Sequence, residues 1–164
     1  MPINALLAEV SRLHFPRPPA SPRQIEEFEA RVGWRLDDDL RSFYLRCDGA
    51  ELFQQPNSPY RILPLSEIVR ARVALFAEDS DEYGAASWFV ICYVQDGNYV
   101  GIDVSQCSNE RYPVHDCFHE LLPGDAQNKQ IAYSFSDFLE RTLRSGGHLY
   151  WLKDGWTLQR HVGA

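Results

Sequence analysis

The chain has 164 residues, 45% of them hydrophobic and 13% aromatic, with 16 Lys and Arg against 23 Asp and Glu for a net charge of -7. That composition specifies one globular domain over residues 1–164, large enough to fold around its own core without disulfides or metal, and it excludes a largely disordered chain. The longest apolar run, Trp88 to Val94, is seven residues, against about 20 for a membrane-spanning helix; with no basic leader at the N-terminus, a cytoplasmic protein that spans no membrane is expected.

Ile3, Leu6, Leu7, Val10 and Leu13 recur at helical spacing and predict a helix over 3–14, ended by Pro16, Pro18 and Pro19. Ser21, Pro22 and Gln24 form an N-cap, a first-turn proline and a capping-box partner for a second helix, with Ile25, Phe28 and Val32 inward and Gly33 as its C-cap. Asp37-Asp38-Asp39 suits the positive end of a third helix, which carries Leu40, Phe43, Tyr44 and Cys47 to a capping Gly49. Glu51 to Pro59 reads as a polar loop with Phe53 as an exposed ring, Tyr60 to Leu63 as a strand, and Ser66 as the cap of a short helix. Segment 77–86 lacks apolar periodicity and ends in Gly84-Ala85-Ala86, so it is a loop. Runs 88–94 and 99–104 flank Asp96-Gly97, a strong hairpin signal that puts this pair at the centre of a sheet. Residues 111–118 form a third strand, placed at an edge or bulge by Pro113, and 123–130 a polar loop. Ser134 or Ser136 opens a last helix stopped by Gly146-Gly147, and a tail with Tyr150, Trp151, Trp156 and Leu158 is too apolar to float free. Helices first, strands next and a helix last describe an α+β fold: a central, mostly antiparallel twisted sheet with N-terminal helices and a C-terminal helix packed on it.

The charge is unevenly placed. Between Arg72 and Arg111 lie 38 residues without Lys or Arg, containing Glu78, Asp79, Asp81, Glu82, Asp96, Asp103 and Glu110, so these seven acids equal the whole surplus. Such a stretch argues against a nucleic-acid partner, which needs a basic stripe. It has two readings: a solvated loop that aids solubility, or a field that steers a basic protein partner. In the second, Glu78, Asp79, Asp81 and Glu82 steer and Tyr83 or Phe53 anchors.

Three patches resemble the SUKH superfamily of the Smi/Knr type. The first runs from Ile25-Glu26-x-Phe28-Glu29 through Val32-Gly33-Trp34-x-Leu36 and Asp39-Leu40-Arg41-x-Phe43-Tyr44 to Asp48-Gly49-Ala50. The second is Tyr60 to Ile68, and the third is Ala132-Tyr133-Ser134-Phe135-x-x-Phe138-Leu139. Together they span about residues 21–145. The family commonly has a proline where Asp37 follows Leu36, and a second glycine where Ala50 stands; both departures are compatible with the same turns. The resemblance implies a protein-binding module, either an immunity protein that occludes a bacterial toxin, for instance one of nuclease type, or a regulatory scaffold in cell-wall or envelope assembly.

Chemistry has thinner support. His115-x-Cys117-x-His119, with Cys107 upstream, puts three candidate metal ligands on one strand face, but at no common structural zinc spacing. Asp116 and Glu120 do not join that face as a carboxylate pair, and no G-x-S-x-G, P-loop or G-x-G-x-x-G run occurs. The expectation is no enzyme, no metal and no cofactor, with the four cysteines reduced.

Overall fold

The computed structural model of the chain describes residues 1–117 and 129–160. Helix α1, Ile3–Leu13, turns Leu6, Leu7 and Val10 inward, and the two-residue strand β1, Phe15–Pro16, follows it. Helix α2, Pro22–Val32, opens on the expected capping box: the Gln24 amide donates to Ser21 Oγ at 3.1 Å and the Ser21 amide to Gln24 Oε1 at 2.8 Å. Gly33 ends it with φ +82°. Helix α3, Asp38–Arg46, is capped by Asp37, which accepts the Leu40 amide at 2.9 Å. Then come β2, Ala50–Leu52; β3, Tyr60–Ile62; α4, Ala71–Phe76; β4, Trp88–Tyr93; β5, Tyr99–Asp103; β6, Val114–Cys117; and β7, Gln130–Ala132. Helix α5, Phe135–Leu143, closes the fold, with the Asp137 amide donating to the Ser134 hydroxyl at 3.1 Å.

The seven strands lie in chain order, each antiparallel to the next. Because partners across a ladder share a face, the register sorts the sheet into two sides. Ala50, Ile62, Cys92, Val100 and Asp116 pair in one row, all buried. Against this side pack the helices: Phe138 of α5 meets Tyr60, Phe43 of α3 meets Phe135, and the Tyr44 hydroxyl donates to the Leu63 carbonyl at 2.6 Å. The neighbouring row, Phe15, Glu51, Arg61, Tyr93, Tyr99 and Cys117, faces the other way; it is partly or fully exposed as far as Tyr99 and buried at Cys117. The helices thus cover one side of the sheet, while the other is exposed toward β1 and buried at its centre, where Val90, Gly101 and Cys117 lie.

Several local expectations are corrected. Strands β1, β2 and β7 were not anticipated, being two or three residues long and thus too short for any alternation to register. The polar loop after Glu51 begins only beyond Leu52, and of the loop 123–130 the residues 123–128 lie outside those described while Gln130 opens β7. Pro113 precedes β6, which is an interior strand between β5 and β7; the ladder does shift register between Val114 and His115, so the bulge is present and the edge is not. Ser66 sits in a single 3-10 turn, Leu65–Glu67, and α4 begins only at Ala71. Gly49 caps no helix, since α3 ends in extended Cys47; it has φ +93°, and a Cβ there would lie 2.7 Å from the Ile62 carbonyl oxygen and 2.9 Å from the Pro64 nitrogen. The apolar tail is folded: Trp151 is buried, the Tyr150 hydroxyl donates to the Ile131 carbonyl at 2.8 Å, and Lys129 Nζ to the Trp151 carbonyl at 2.6 Å.

Candidate functional site

The acidic segment joins α4 to β4, and its shape is set by two arginines just before it. Arg72, only 6% exposed, donates from Nε to Asp79 and from Nη1 to Asp81, both at 2.6 Å, and from Nη1 to the Gly84 carbonyl at 3.2 Å. Arg70 donates to the other Asp79 oxygen at 2.8 Å and to the Ala86 carbonyl at 3.0 Å. The donation from Arg72 holds the Asp79 carboxyl below the ordinary carboxylate value. Ser80 accepts the Glu82 amide at 3.2 Å and starts the turn Asp81–Tyr83, and the Tyr83 ring stacks on Phe76 at 5.0 Å. The loop is thus clamped rather than loose, and four acids against two guanidiniums leave two negative charges, on Glu78 and Glu82.

The other acids of the base-free stretch divide in the same way. Asp103 is buried, and although desolvation works to raise its pKa, donation from Ser105, Trp88 and Ser87 outweighs it and leaves the value lowered. Glu78, Glu82, Asp96 and Glu110 are exposed and make no ion pair among the described residues. The Asp37-Asp38-Asp39 run is structural: Asp37 also accepts the Tyr112 amide at 3.1 Å, and Asp39 pairs with Arg111 at 3.0 Å.

Glu78, Asp79, Asp81, Glu82 and Tyr83 are brought together in this one loop, whereas Phe53 is not part of it. The register puts Tyr60 beyond Tyr93, toward the β4–β5 turn, and Phe53 packs against Tyr60 there. The acidic loop enters at Trp88, so the two lie at opposite ends of β4, about 17 Å of strand apart. Phe53 is also only half-exposed: its amide donates to His14 Nδ1 at 2.9 Å, its ring meets His14 edge-on at 4.9 Å, and it lies over Gly147.

His115 and Cys117 do share a face of β6, while His119 and Glu120 lie outside the described residues. His115 stacks on Trp88 at 5.9 Å. Burial pushes the Cys117 thiol up to about 12, and Cys107 is exposed on the loop after β5. Among the described residues no three His, Cys, Asp or Glu side chains converge as a metal site. All four cysteines are free thiols, and no helix among the described residues is long and apolar enough to cross a membrane.

The signal that sequence reading passed over is the pair Arg70 and Arg72, the last bases before the acidic stretch, at a separation from Asp79 and Asp81 that a short helix and turn can close.

The model of the SMI1 / KNR4 family (SUKH-1) matches residues 19–141, from the approach to α2 into α5. The chain belongs to this family. The match includes the acidic loop and all of the sheet from β2 to β7. The immunity protein YokJ of Bacillus subtilis (strain 168) is 28% identical to the chain over 123 residues, which cover 74% of this chain and 73% of that protein.

Proposed function

We propose that the chain is an immunity protein that binds a toxin domain and neutralises it by blocking access to its working surface. The similarity to YokJ over three quarters of the chain carries the reading, and the acidic loop supplies its physics. Glu78 and Glu82 present uncompensated charge, Asp79 and Asp81 hold them in place through Arg72, and Tyr83 stands beside them as an aromatic contact. Such a rim accelerates association with a basic surface, which is what the groove of a nuclease-type toxin offers. It repels the phosphates that a nucleic-acid-binding protein must attract. The role needs no catalytic group on this chain.

The test is co-expression with a candidate toxin domain, sought among the products of the adjacent genes, together with calorimetry of the two purified proteins. Growth should be restored by a stoichiometric complex. Restored growth without a complex, or no protection at all, refutes neutralisation by binding.

A further inference from the structure

His14 closes α1, and its ring reaches across to the loop after β2. Its Nδ1 accepts the Phe53 amide at 2.9 Å, and the two rings meet edge-on at 4.9 Å. A backbone N–H can only donate, so this bond exists only while Nδ1 carries no proton, which puts the hydrogen of the neutral ring on Nε2. An imidazolium carries N–H on both nitrogens and would set one of them against the Phe53 N–H. The protonation state of one ring therefore decides whether the contact exists.

What the contact holds is strained. Phe53 has φ +78°, in the left-handed region that a bulky residue rarely occupies. Beyond it the loop 53–57 is closed mainly on itself: Ser58 Oγ accepts the Leu52 amide at 3.1 Å, and Gln54 Nε2 donates to the Asn57 carbonyl at 2.9 Å. His14 ties that loop to α1, and the strain at Phe53 favours departure once the tie is lost.

The surroundings hold no surplus negative charge for an imidazolium. Glu9, on α1, pairs with Arg144 at 2.9 Å. His14 and Gln55 line a cleft of about 850 Å³ whose charged residues are Arg17, Glu51, Arg61 and Glu67, two of each sign, with Arg61 and Glu67 paired at 2.7 Å. His148 is the second histidine of this neighbourhood, next to the Gly147 over which the Phe53 ring lies. Burial holds the His14 pKa below its ordinary value, against the charge of Glu9.

We propose that His14 is a pH-sensitive latch on the loop 53–57: neutral, it holds Phe53 and completes the cleft wall at Gln55; protonated, it releases both. The device sits on the β1–β3 side of the sheet, away from the acidic loop, and is independent of the toxin-binding reading. With the folded value lowered, the latch is at full strength above the ordinary value of 6.5 and weakens as pH falls from there to the folded value. Each unit below 6.5 favours release at most tenfold, a ceiling of about thirtyfold at pH 5.

The measurement is hydrogen exchange of the Phe53 amide in the full chain by NMR, expressed relative to an unstructured chain at the same pH so that the intrinsic pH dependence of exchange cancels. Between pH 7.5 and pH 5, protection of the wild-type Phe53 amide should fall by about fivefold to thirtyfold, while that of Val100, buried in β5, stays constant. His14→Asn puts a side-chain oxygen near the place of Nδ1 and cannot titrate, so Phe53 should stay protected at both pH values. His14→Leu removes the acceptor and should leave it poorly protected at both. Wild-type protection that does not change with pH overturns the latch. An equal loss at Val100 also overturns it, since the whole domain would then be opening. A fall in His14→Asn as large as in the wild type hands the switch to another group, such as His148, and overturns it too.

Discussion

Replacing Asp116 by Asn should make the protein's stability less dependent on pH, because burial opposes the ionisation of this carboxyl. Asp116 lies in the buried row of the sheet, 7% exposed, and its amide donates to the Lys129 carbonyl at 2.8 Å. Desolvation pushes its pKa up to about 6, against the pull of donation from Trp151 and of the Lys129 charge. A folded-state pKa above the unfolded value means that the native state holds the proton longer, so stability falls as pH rises through the interval between them. From an ordinary value of 3.8 to about 6, the contribution lost between pH 4.5 and pH 7.5 is about 2 kcal/mol at 1.36 kcal/mol per unit. Asn keeps an acceptor for the indole and has nothing to ionise. Urea denaturation of both proteins at the two pH values should therefore show the wild type losing about 2 kcal/mol relative to Asp116→Asn as pH rises, or about 4–8 °C in Tm. A difference between the two proteins that stays constant with pH would show that Asp116 ionises normally in the fold and that Trp151 and Lys129 offset its burial completely.

The other predictions concern the turns and the clamped loop. Gly49→Ala should cost several kcal/mol by chemical denaturation and Gly33→Ala only about 1, because both have positive φ but the Cβ at Gly49 meets backbone while that at Gly33 meets nothing within 4 Å; equal losses would refute the close-approach argument. Ser21→Ala removes one half of a capping box on an exposed helix end and should cost about 1 kcal/mol in the same assay. Arg72→Met should keep the buried volume while releasing Asp79, Asp81 and Gly84; faster amide exchange confined to 78–87, with the sheet unchanged, is the expected pattern, and unchanged exchange in that segment would show that the arginine does not organise it.

The elements that could be read from sequence are those with a strong local signature. The capping box at Ser21 and Gln24, the left-handed Gly33 and the Asp96-Gly97 connection each specify their geometry within four residues, and each is found where those residues stand. Strands β1, β2 and β7 carry no such signal, because two or three residues paired to a neighbour acquire their identity from the ladder rather than from themselves. Gly49 shows the same limit from the other side. A glycine after a helix is commonly a cap, and only the approach of the chain after β3, some fourteen residues later in sequence, reveals why no side chain fits there.

The candidate site was legible as composition and not as arrangement. A count along the chain finds seven acids and no base between Arg72 and Arg111, but charge acts in space, and the two arginines at the border fold back over the stretch they delimit. Asp79 and Asp81 thereby become internal ligands of a buried guanidinium, and only Glu78 and Glu82 keep their full field in that loop. Substituting all four acids together would consequently mix two effects, a lost field and a collapsed loop. The separate pairs distinguish them. Glu78→Gln with Glu82→Gln should slow association only at low salt, with the wild-type and variant rates converging near 0.15 M, where the screening length is about 8 Å. Asp79→Asn with Asp81→Asn should weaken binding at every salt concentration, because it strands Arg72 without its partners and moves the surface itself. If the aspartate pair behaves like the glutamate pair, with rates that converge in salt, the clamp has no part in presenting the loop and the four acids act as a simple sum of charges.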